Sequence, residues 1–188
     1  MTLYLASRSP RRTRLLKEAG IRHRVLKTNY KEHLSARLTP AALVRKHAMG
    51  KAMAATVLIE NGLILAADTV VFCKGKIIGK PRSRREAEKT LLSLQGRWHT
   101  VYTGVALISV KKKGLKKKVL FHESTKVCLK KMDLPQIRRY FRRVDPMDKA
   151  GAYAIQARSG TIVEAVRGSF SNAVGLPMEG LCARMRKR

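Results

Sequence analysis

Asp68 is the residue whose surroundings first suggest chemistry. It interrupts Leu63-Ile64-Leu65-Ala66-Ala67-Asp68-Thr69-Val70-Val71-Phe72, in which every other residue is uncharged. The β-formers and small residues of that run predict a buried strand. A lone ionised carboxylate there is costly unless a metal ion, a cation or several donors meet it. The simpler reading is an aspartate that closes the strand and makes a local turn bond, and an isolated motif of this kind favours it. The rest of the chain reverses that preference. It supplies a second carboxylate at Glu32, lysines at Lys51 and Lys80, and a turn suited to an anion.

That turn is Ser7-Arg8-Ser9-Pro10-Arg11-Arg12, between the short apolar run Leu3–Ala6 and a helical pattern of Leu15, Leu16 and Ala19. Ser9 suits the N-cap, Pro10 the first helical position and Gly20 the residue just past the helix. Free backbone N–H groups, serine hydroxyls and guanidinium forks together make a phosphate site. The alternative is a merely well-capped basic helix, but the two serines at the turn favour the anion site. Thr39-Pro40 opens a second helix with the apolar stripe Leu43, Val44, Ala48, Ala52 and Ala55. Lys51 lies on or beside that stripe, so it either snorkels to solvent or points into a site. In Gly79-Lys80-Pro81, Gly79 lets a ligand approach the backbone and Pro81 stiffens the loop that carries Lys80. Gln156 offers a paired donor and acceptor that would read a base edge, or else make an ordinary loop bond.

These residues need elements to carry them. After the Asp68 strand, Lys74-Gly75 predicts a turn, and Ser83 with Glu86 a capping box that starts a helix bearing Ala87, Leu91 and Leu94. Trp98–Val110 and Val119–Leu129 read as long strands joined by a lysine-rich hairpin tip. Asp133 caps a helix bearing Ile137, Tyr140 and Phe141. Asp148 to Gln156 is neither clean helix nor clean strand, and its small residues suit close approach of a ligand. Thr161–Val166 reads as a strand, Gly168–Gly175 as a Gly/Ser-rich turn, and Leu176 onward as a last helix. Val25 to Leu34 follows no clear period. Alternating strands and helices without a repeat or linker predict one α/β domain, 1–188, around a mixed sheet.

Composition sets limits on function. A chain of 188 residues with 45% hydrophobic content is neither disordered nor too small for a core. No apolar run approaches the roughly 18 residues of a membrane span, and the N-terminus shows no signal-peptide pattern. Cys73, Cys128 and Cys182 are odd in number and far apart, as expected of reduced buried thiols in a cytoplasmic protein. The scattered histidines argue against a His/Cys metal site. The charge is extreme: 41 Lys+Arg against 12 Asp+Glu, a formal net charge of +29. It predicts attraction of polyanions without saying which. Its densest block, Lys111 to Lys118, has no interleaved aromatics and reads as a solvated surface rather than a base-stacking platform.

Six stretches together resemble the Maf family, the septum-formation-inhibitor-like nucleotide pyrophosphatases. They are Leu5-Ala6-Ser7-Arg8-Ser9-Pro10-Arg11-Arg12, Ala66-Ala67-Asp68-Thr69-Val70-Val71, Gly79-Lys80-Pro81, Thr103-Gly104-Val105, Asp148-Lys149-Ala150-Gly151-Ala152-Tyr153 and Gly175-Leu176-Pro177. Their order and spacing match along nearly the whole chain. The resemblance implies a two-lobed α/β fold related to the inosine triphosphatase type, with the site in the cleft between lobes. It implies hydrolysis of a nucleoside triphosphate to the monophosphate and pyrophosphate, and a house-cleaning role linked to cell-division arrest.

Within the family, Asp68-Thr69 with the Ser-Pro-Arg-Arg turn and Ile155-Gln156 is similar to the dTTP/UTP-preferring branch. By that similarity Asp68 is the catalytic acidic residue, the one that would accept the water's proton, and Arg11, Thr69 and Gln156 set specificity. Mg²⁺ or Mn²⁺ held by Glu32 and Asp68 would bridge phosphate oxygens, while Arg12, Lys51 and Lys80, with Ser7 and Ser9, would bind the phosphates. The chain departs from the pattern in having Lys31-Glu32 where the family has two adjacent acids, Ala157 after Gln156 where it has glycine, and so basic a composition. Besides the triphosphate, the reading admits a homodimer and weak, salt-sensitive nucleic-acid binding, and no membrane. The rival class is a basic nucleic-acid-binding protein on a nucleotide-hydrolase fold with weakened catalysis.

Overall fold

The computed structural model describes residues 1–33, 37–155 and 162–186. Strand β1 (Leu3–Leu5) leads directly into helix α1 (Pro10–Glu18). Pro10 takes the first helical position, where its fixed φ is already helical and its missing N–H costs nothing. Ser9 stands at the N-cap, but its side chain makes no capping bond, contrary to expectation. Its N–H is drawn instead to Ser7 Oγ at 3.2 Å. At the other end Gly20 adopts φ +70°, and the N–H groups of Gly20 and Ile21 donate back to Lys17 O and Leu16 O at 3.0 and 2.8 Å. That pair of bonds closes the helix as a Schellman motif.

The chain continues through β2 (Arg24–Val25), α2 (Pro40–Thr56), β3 (Gly62–Cys73), β4 (Lys76–Ile78), α3 (Arg84–Leu94), β5 (Trp98–Lys111) and β6 (Gly114–Leu129). Thr39 caps α2 by accepting from Ala42 N. The capping box expected at α3 is only half formed: Ser83 Oγ accepts from Glu86 N, but the Glu86 carboxylate reaches back to Arg82 N. The complete box belongs to α4 (Leu134–Phe141), where Asp133 and Gln136 bond each other's backbone at 2.8 and 2.9 Å. A 3₁₀ turn (Ala150–Ala152) and β7 (Val163–Arg167) follow. The supposed Gly/Ser-rich turn then contains a short helix, α5 (Phe170–Val174), before α6 (Met178–Arg186). Ser169 caps α5 through Asn172 N, so the serine that suggested a loop is what starts a helix.

The strands form one mixed sheet in the order β2-β1-β3-β5-β6-β7, with β4 also paired to β3. β2, β1 and β3 run parallel, and β3, β5, β6 and β7 alternate in direction. The fold is therefore mixed α/β, as the sequence implies. Helix α2 covers one face, packing Ala48, Ala52 and Ala55 on Ile64, Ala66, Ala106 and Ile108. Helices α1, α3, α4 and α6 cover the other through Leu16, Leu91, Leu94, Ile137 and Leu181, on Leu65, Ala67 and Leu107. Strand β3 is thus buried on both sides, which explains its unbroken apolar run.

Two features of β3 create the site. Its edge toward β1 is paired only as far as Leu5↔Leu65, and β4 takes up the same edge only at Val71↔Ile78. Between them the strand edge is open, beside the N-terminus of α1. Crevices where neighbouring strands part at the carboxyl end of a parallel strand are the usual ligand sites of such sheets. The pleat also divides the residues at the gap. Asp68 shares the α2 face with Ala66 and Val70, while Thr69 shares the opposite face with Ala67 and Val71.

Gly104, opposite Asp68 on β5, sets how close α2 comes. A Cβ there would lie 2.4 Å from the Val44 carbonyl carbon and oxygen and 2.7 Å from Arg45 N. The helix backbone rests on the strand at this point, and Lys51 is two turns further along the same stripe. Gly104→Ala should therefore lift α2 and destabilise the protein by about 1–3 kcal/mol, the usual cost of overpacking. Denaturant unfolding checks this, and an unchanged midpoint would mean that α2 has slack at Gly104.

Candidate active site

The gap beside β3 opens into a cleft of about 640 Å³, within the range of about 300–1,000 Å³ typical of small-molecule sites. It is lined by the Ser7–Arg12 turn, Asn29–Glu32, Lys51, Asp68, Thr69, Lys80 and Asp148–Ala150. Seven cationic side chains and three carboxylates face it, so its field favours an anion.

Lys51 is buried on the sheet-facing side of α2 and does not snorkel. Its Nζ lies 2.7 Å from Asp68 Oδ1 and 2.5 Å from Glu32 Oε1. It also donates to the Ala67 carbonyl at 3.4 Å, on the stretch of β3 edge that neither β1 nor β4 covers. One ammonium therefore answers both the buried aspartate and an orphaned backbone acceptor. Asp68 is not a strand-closing residue: β3 runs on to Cys73. Burial alone would push the Glu32 carboxyl up, but Lys51, with Lys80 and Arg12 further off, holds it below the ordinary carboxylate range.

On the other face of β3, the buried Arg12 spends its fork on protein. Its Nε donates to Gly175 O at 2.7 Å, and its two terminal nitrogens to Ser7 Oγ and Thr69 Oγ1, both at 3.0 Å. Thr69 Oγ1 in turn meets Thr103 Oγ1 at 3.0 Å, which donates to Asn172 O. This chain of bonds ties α1, β3, β5 and α5 together behind the cleft. Burial lowers the Arg12 guanidinium to about 10, with Asp68 opposing the shift, so it stays charged at neutral pH. Each terminal nitrogen has a second N–H left for a ligand.

Arg11 lines the cleft with its guanidinium engaged by protein. It forks onto Asp148, through Oδ2 at 2.8 Å and the backbone oxygen at 3.1 Å. Lys149 contacts the other Asp148 oxygen and donates to Asp145 O. Burial raises the Asp148 carboxyl, but Lys149 and Arg11 outweigh it and hold the group below its ordinary value. Lys80 is exposed on the rim and pairs with no described residue. Ser7 serves Arg12 and the Ser9 amide, and Ser9 itself lines the cleft. Gln156 and Ala157 lie outside the described residues.

The structure thus brings Ser7, Ser9, Arg11, Arg12, Glu32, Lys51, Asp68, Thr69 and Lys80 to one cleft. The sequence reading missed Tyr30, His47, Thr103, Asp148 and Gly175 as members or supports of it. Thr103, Asp148 and Gly175 had a signal, since all three stand in stretches that carried the family resemblance. Of the small residues there, Ala150 lines the cleft, while Gly151 and Ala152 are buried in packing: a Cβ on Gly151 would meet Val71 Cγ2 at 2.9 Å. Among the described residues no group of three or more His, Cys, Asp or Glu converges. Cys73 and Cys128 are buried free thiols, whereas Cys182 is partly exposed.

Several known proteins are similar to this chain. A dTTP/UTP pyrophosphatase of Pelotomaculum thermopropionicum is 42% identical over 185 residues, covering 98% of this chain and 95% of that protein. Another, from Carboxydothermus hydrogenoformans, is 40% identical over 187 residues, covering 100% and 98%. Among solved structures, the Staphylococcus aureus Ham1 protein is similar over 69% of this chain and 72% of that one, with 13% identity and a TM-score of 0.48, a likeness too loose to bear on function. The family model described as Maf-like protein matches residues 2–188, and with relatives this similar over nearly their whole length the chain belongs to the Maf family.

Proposed function

We propose that this single domain is a nucleoside triphosphate pyrophosphatase that hydrolyses dTTP and UTP, releasing the monophosphate and pyrophosphate. The observation that carries the reading is Lys51 joining Asp68 and Glu32 inside a cationic cleft of nucleotide size. The names of the relatives, dTTP/UTP pyrophosphatase, support the substrate class.

The chain's own residues divide the work. Lys80, the remaining N–H groups of Arg12 and the ammonium of Lys51 neutralise the triphosphate and stabilise charge developing on the departing pyrophosphate. Asp68 accepts the proton of the water that attacks the α-phosphorus. The bond formed is water oxygen to α-phosphorus, and the bond broken is the α–β anhydride.

A divalent cation, Mg²⁺ or Mn²⁺, fits the donors present. Asp68 and Glu32 are hard oxygen ligands close enough to share one ammonium. The second oxygen of each makes no hydrogen bond among the described residues, and phosphate and water oxygens would complete the set. Such an ion supplies Lewis-acid polarisation of phosphate oxygens and a more acidic water. We place substrate choice at Arg11, Thr69 and Gln156, with Arg11 and Thr69 held by Asp148 and by Arg12 and Thr103.

Product analysis with dTTP or UTP and Mg²⁺ or Mn²⁺ should find pyrophosphate and the nucleoside monophosphate. Orthophosphate with the diphosphate nucleotide would overturn the bond assignment. Asp68→Asn should lower kcat about 10²-fold or more, the usual size of an acid–base contribution, and near-normal turnover would reduce Asp68 to an anchor for Lys51. Gln156→Ala should narrow the kcat/KM ratio between dTTP and purine triphosphates while leaving the required metal concentration alone. An unaltered nucleotide panel would put base reading elsewhere.

The lysine-rich hairpin favours a second property, weak binding of nucleic acid. Lys112 and Lys113 form its two-residue turn with φ of 51° and 58°, and Lys111 and Lys116–Lys118 flank it, exposed. Its tip bonds Glu60 and Asn61, just before β3. Asp68 is six residues along that strand from Gly62, about 20 Å at the usual rise. Changing the six lysines to glutamine should therefore weaken RNA binding and flatten its salt dependence, with dTTP turnover intact. Loss of turnover in that variant would tie the hairpin to catalysis.

A further inference from the structure

Glu32 has no regular element to hold it. β2 ends at Val25, and the described stretch from Leu26 to His33 is neither helix nor strand. Yet Glu32 Oε1 sits 2.5 Å from Lys51 Nζ. What holds the chain on either side of it is His47, which is buried on α2 and bonds the backbone after Glu32 and a side chain before it. Its Nε2 lies 3.0 Å from the His33 carbonyl oxygen, one residue after Glu32, and its Nδ1 lies 2.9 Å from the Tyr30 hydroxyl, two residues before. A carbonyl only accepts, so Nε2–H donates to His33 O, and in the neutral ring Nδ1 accepts from the Tyr30 hydroxyl. The imidazole thus spans Glu32 from both sides.

The Tyr30 ring has a second seat. It stands edge-on to His47, ring centres 5.8 Å apart, and lies over Gly50. A Cβ on Gly50 would fall 2.2, 2.5 and 2.8 Å from Tyr30 Cε2, Cζ and Oη. Glycine inside a helix is a destabilising choice beside alanine, and here the ring that covers it supplies the reason. His47, Gly50 and Lys51 are on one helix, so α2 carries both the cation that pairs with Glu32 and the seat that fixes where Glu32 is. Burial and the charges of Asp68 and Glu32 raise the Tyr30 hydroxyl above its ordinary value, as expected of a ring beside the carboxylates.

We propose that Tyr30, His47 and Gly50 form a clamp that sets Glu32 against Lys51, making Tyr30 and His47 positioning residues for the hydrolysis; the catalytic part of this rests on the function proposed above. Gly50→Ala tests it with little risk to folding, because alanine favours the helix. Its thermal midpoint should be unchanged or raised. Cleavage by trypsin after Lys31, followed by mass spectrometry, should become at least threefold faster. With dTTP, kcat/KM should fall about tenfold, chiefly in kcat. Tyr30→Ala should do the same, and Tyr30→Phe, which keeps the ring on Gly50, should recover most of the loss. In the Tyr30→Ala background, adding Gly50→Ala should change nothing further, since its only target is gone.

An equal loss from Gly50→Ala in both backgrounds would mean that the methyl acts through Lys51 or the helix, and would overturn the clamp. So would wild-type cleavage and turnover in Gly50→Ala. If the unmodified protein turns over no triphosphate, the proposed function fails on its own. Protection at Lys31 in the same variants then decides whether the clamp exists.

Discussion

The structure depends on one buried ammonium. Lys51 lies under the sheet-facing side of α2, where an unpaired charge would be prohibitive. It is tolerable because three acceptors meet it: Asp68, Glu32 and the Ala67 carbonyl. Each comes from a different constraint. Asp68 is delivered by the pleat of β3, Ala67 by the missing strand neighbour, and Glu32 by a segment held on α2. The same ammonium makes the burial of Asp68 affordable, so neither residue of the pair would sit there alone. Gly104 completes the arrangement by letting α2 rest its backbone on β5.

A second network occupies the opposite face of the same strand. Arg12 reaches Thr69, Ser7 and Gly175, and Thr69 passes the connection to Thr103 and the Asn172 carbonyl. Successive residues of β3 thus face two different jobs. Asp68 joins a cluster of charge toward α2, and Thr69 joins a lattice of neutral and cationic donors toward α1 and α5. Both networks border the crevice between β1 and β4, which is why a single dipeptide can serve chemistry and architecture at once. The cationic excess at this crevice is local and organised by hydrogen bonds, in contrast to the exposed lysines of the β5–β6 hairpin at the other end of β3.

Much was legible in the chain alone. The uncharged run around Asp68 announced a buried strand, and the structure shows why it lacks polar alternation: it is covered on both faces. Thr39-Pro40, Asp133 and Gly20 marked helix ends through local chemistry, which needs no distant partner. The family resemblance led to a cleft and to a set of site residues, charged and polar, that the structure does gather, Gln156 apart, since it lies outside the described residues. Local signals misled where two readings used the same residue types. Serines and glycines at 168–175 looked like a turn, yet Ser169 starts a helix there.

Only the tertiary structure decided how the charges are used. Whether Lys51 snorkelled or pointed inward depended on a sheet edge left open by two other strands, a fact with no local trace. That Arg12 is largely engaged by Ser7, Thr69 and Gly175, and Arg11 by Asp148, follows from contacts that, the neighbouring Ser7 apart, reach 57 to 163 residues along the chain. Tyr30 and His47 carried no sequence signal, because an aromatic ring and a histidine have many roles and their partnership exists only across the packing of Gly50. Residue type and spacing determined which groups were available and where helices and strands would begin. The closing of those elements on one another determined which group faces which, because hydrogen bonds and ion pairs act over a few ångströms of space and not along the sequence.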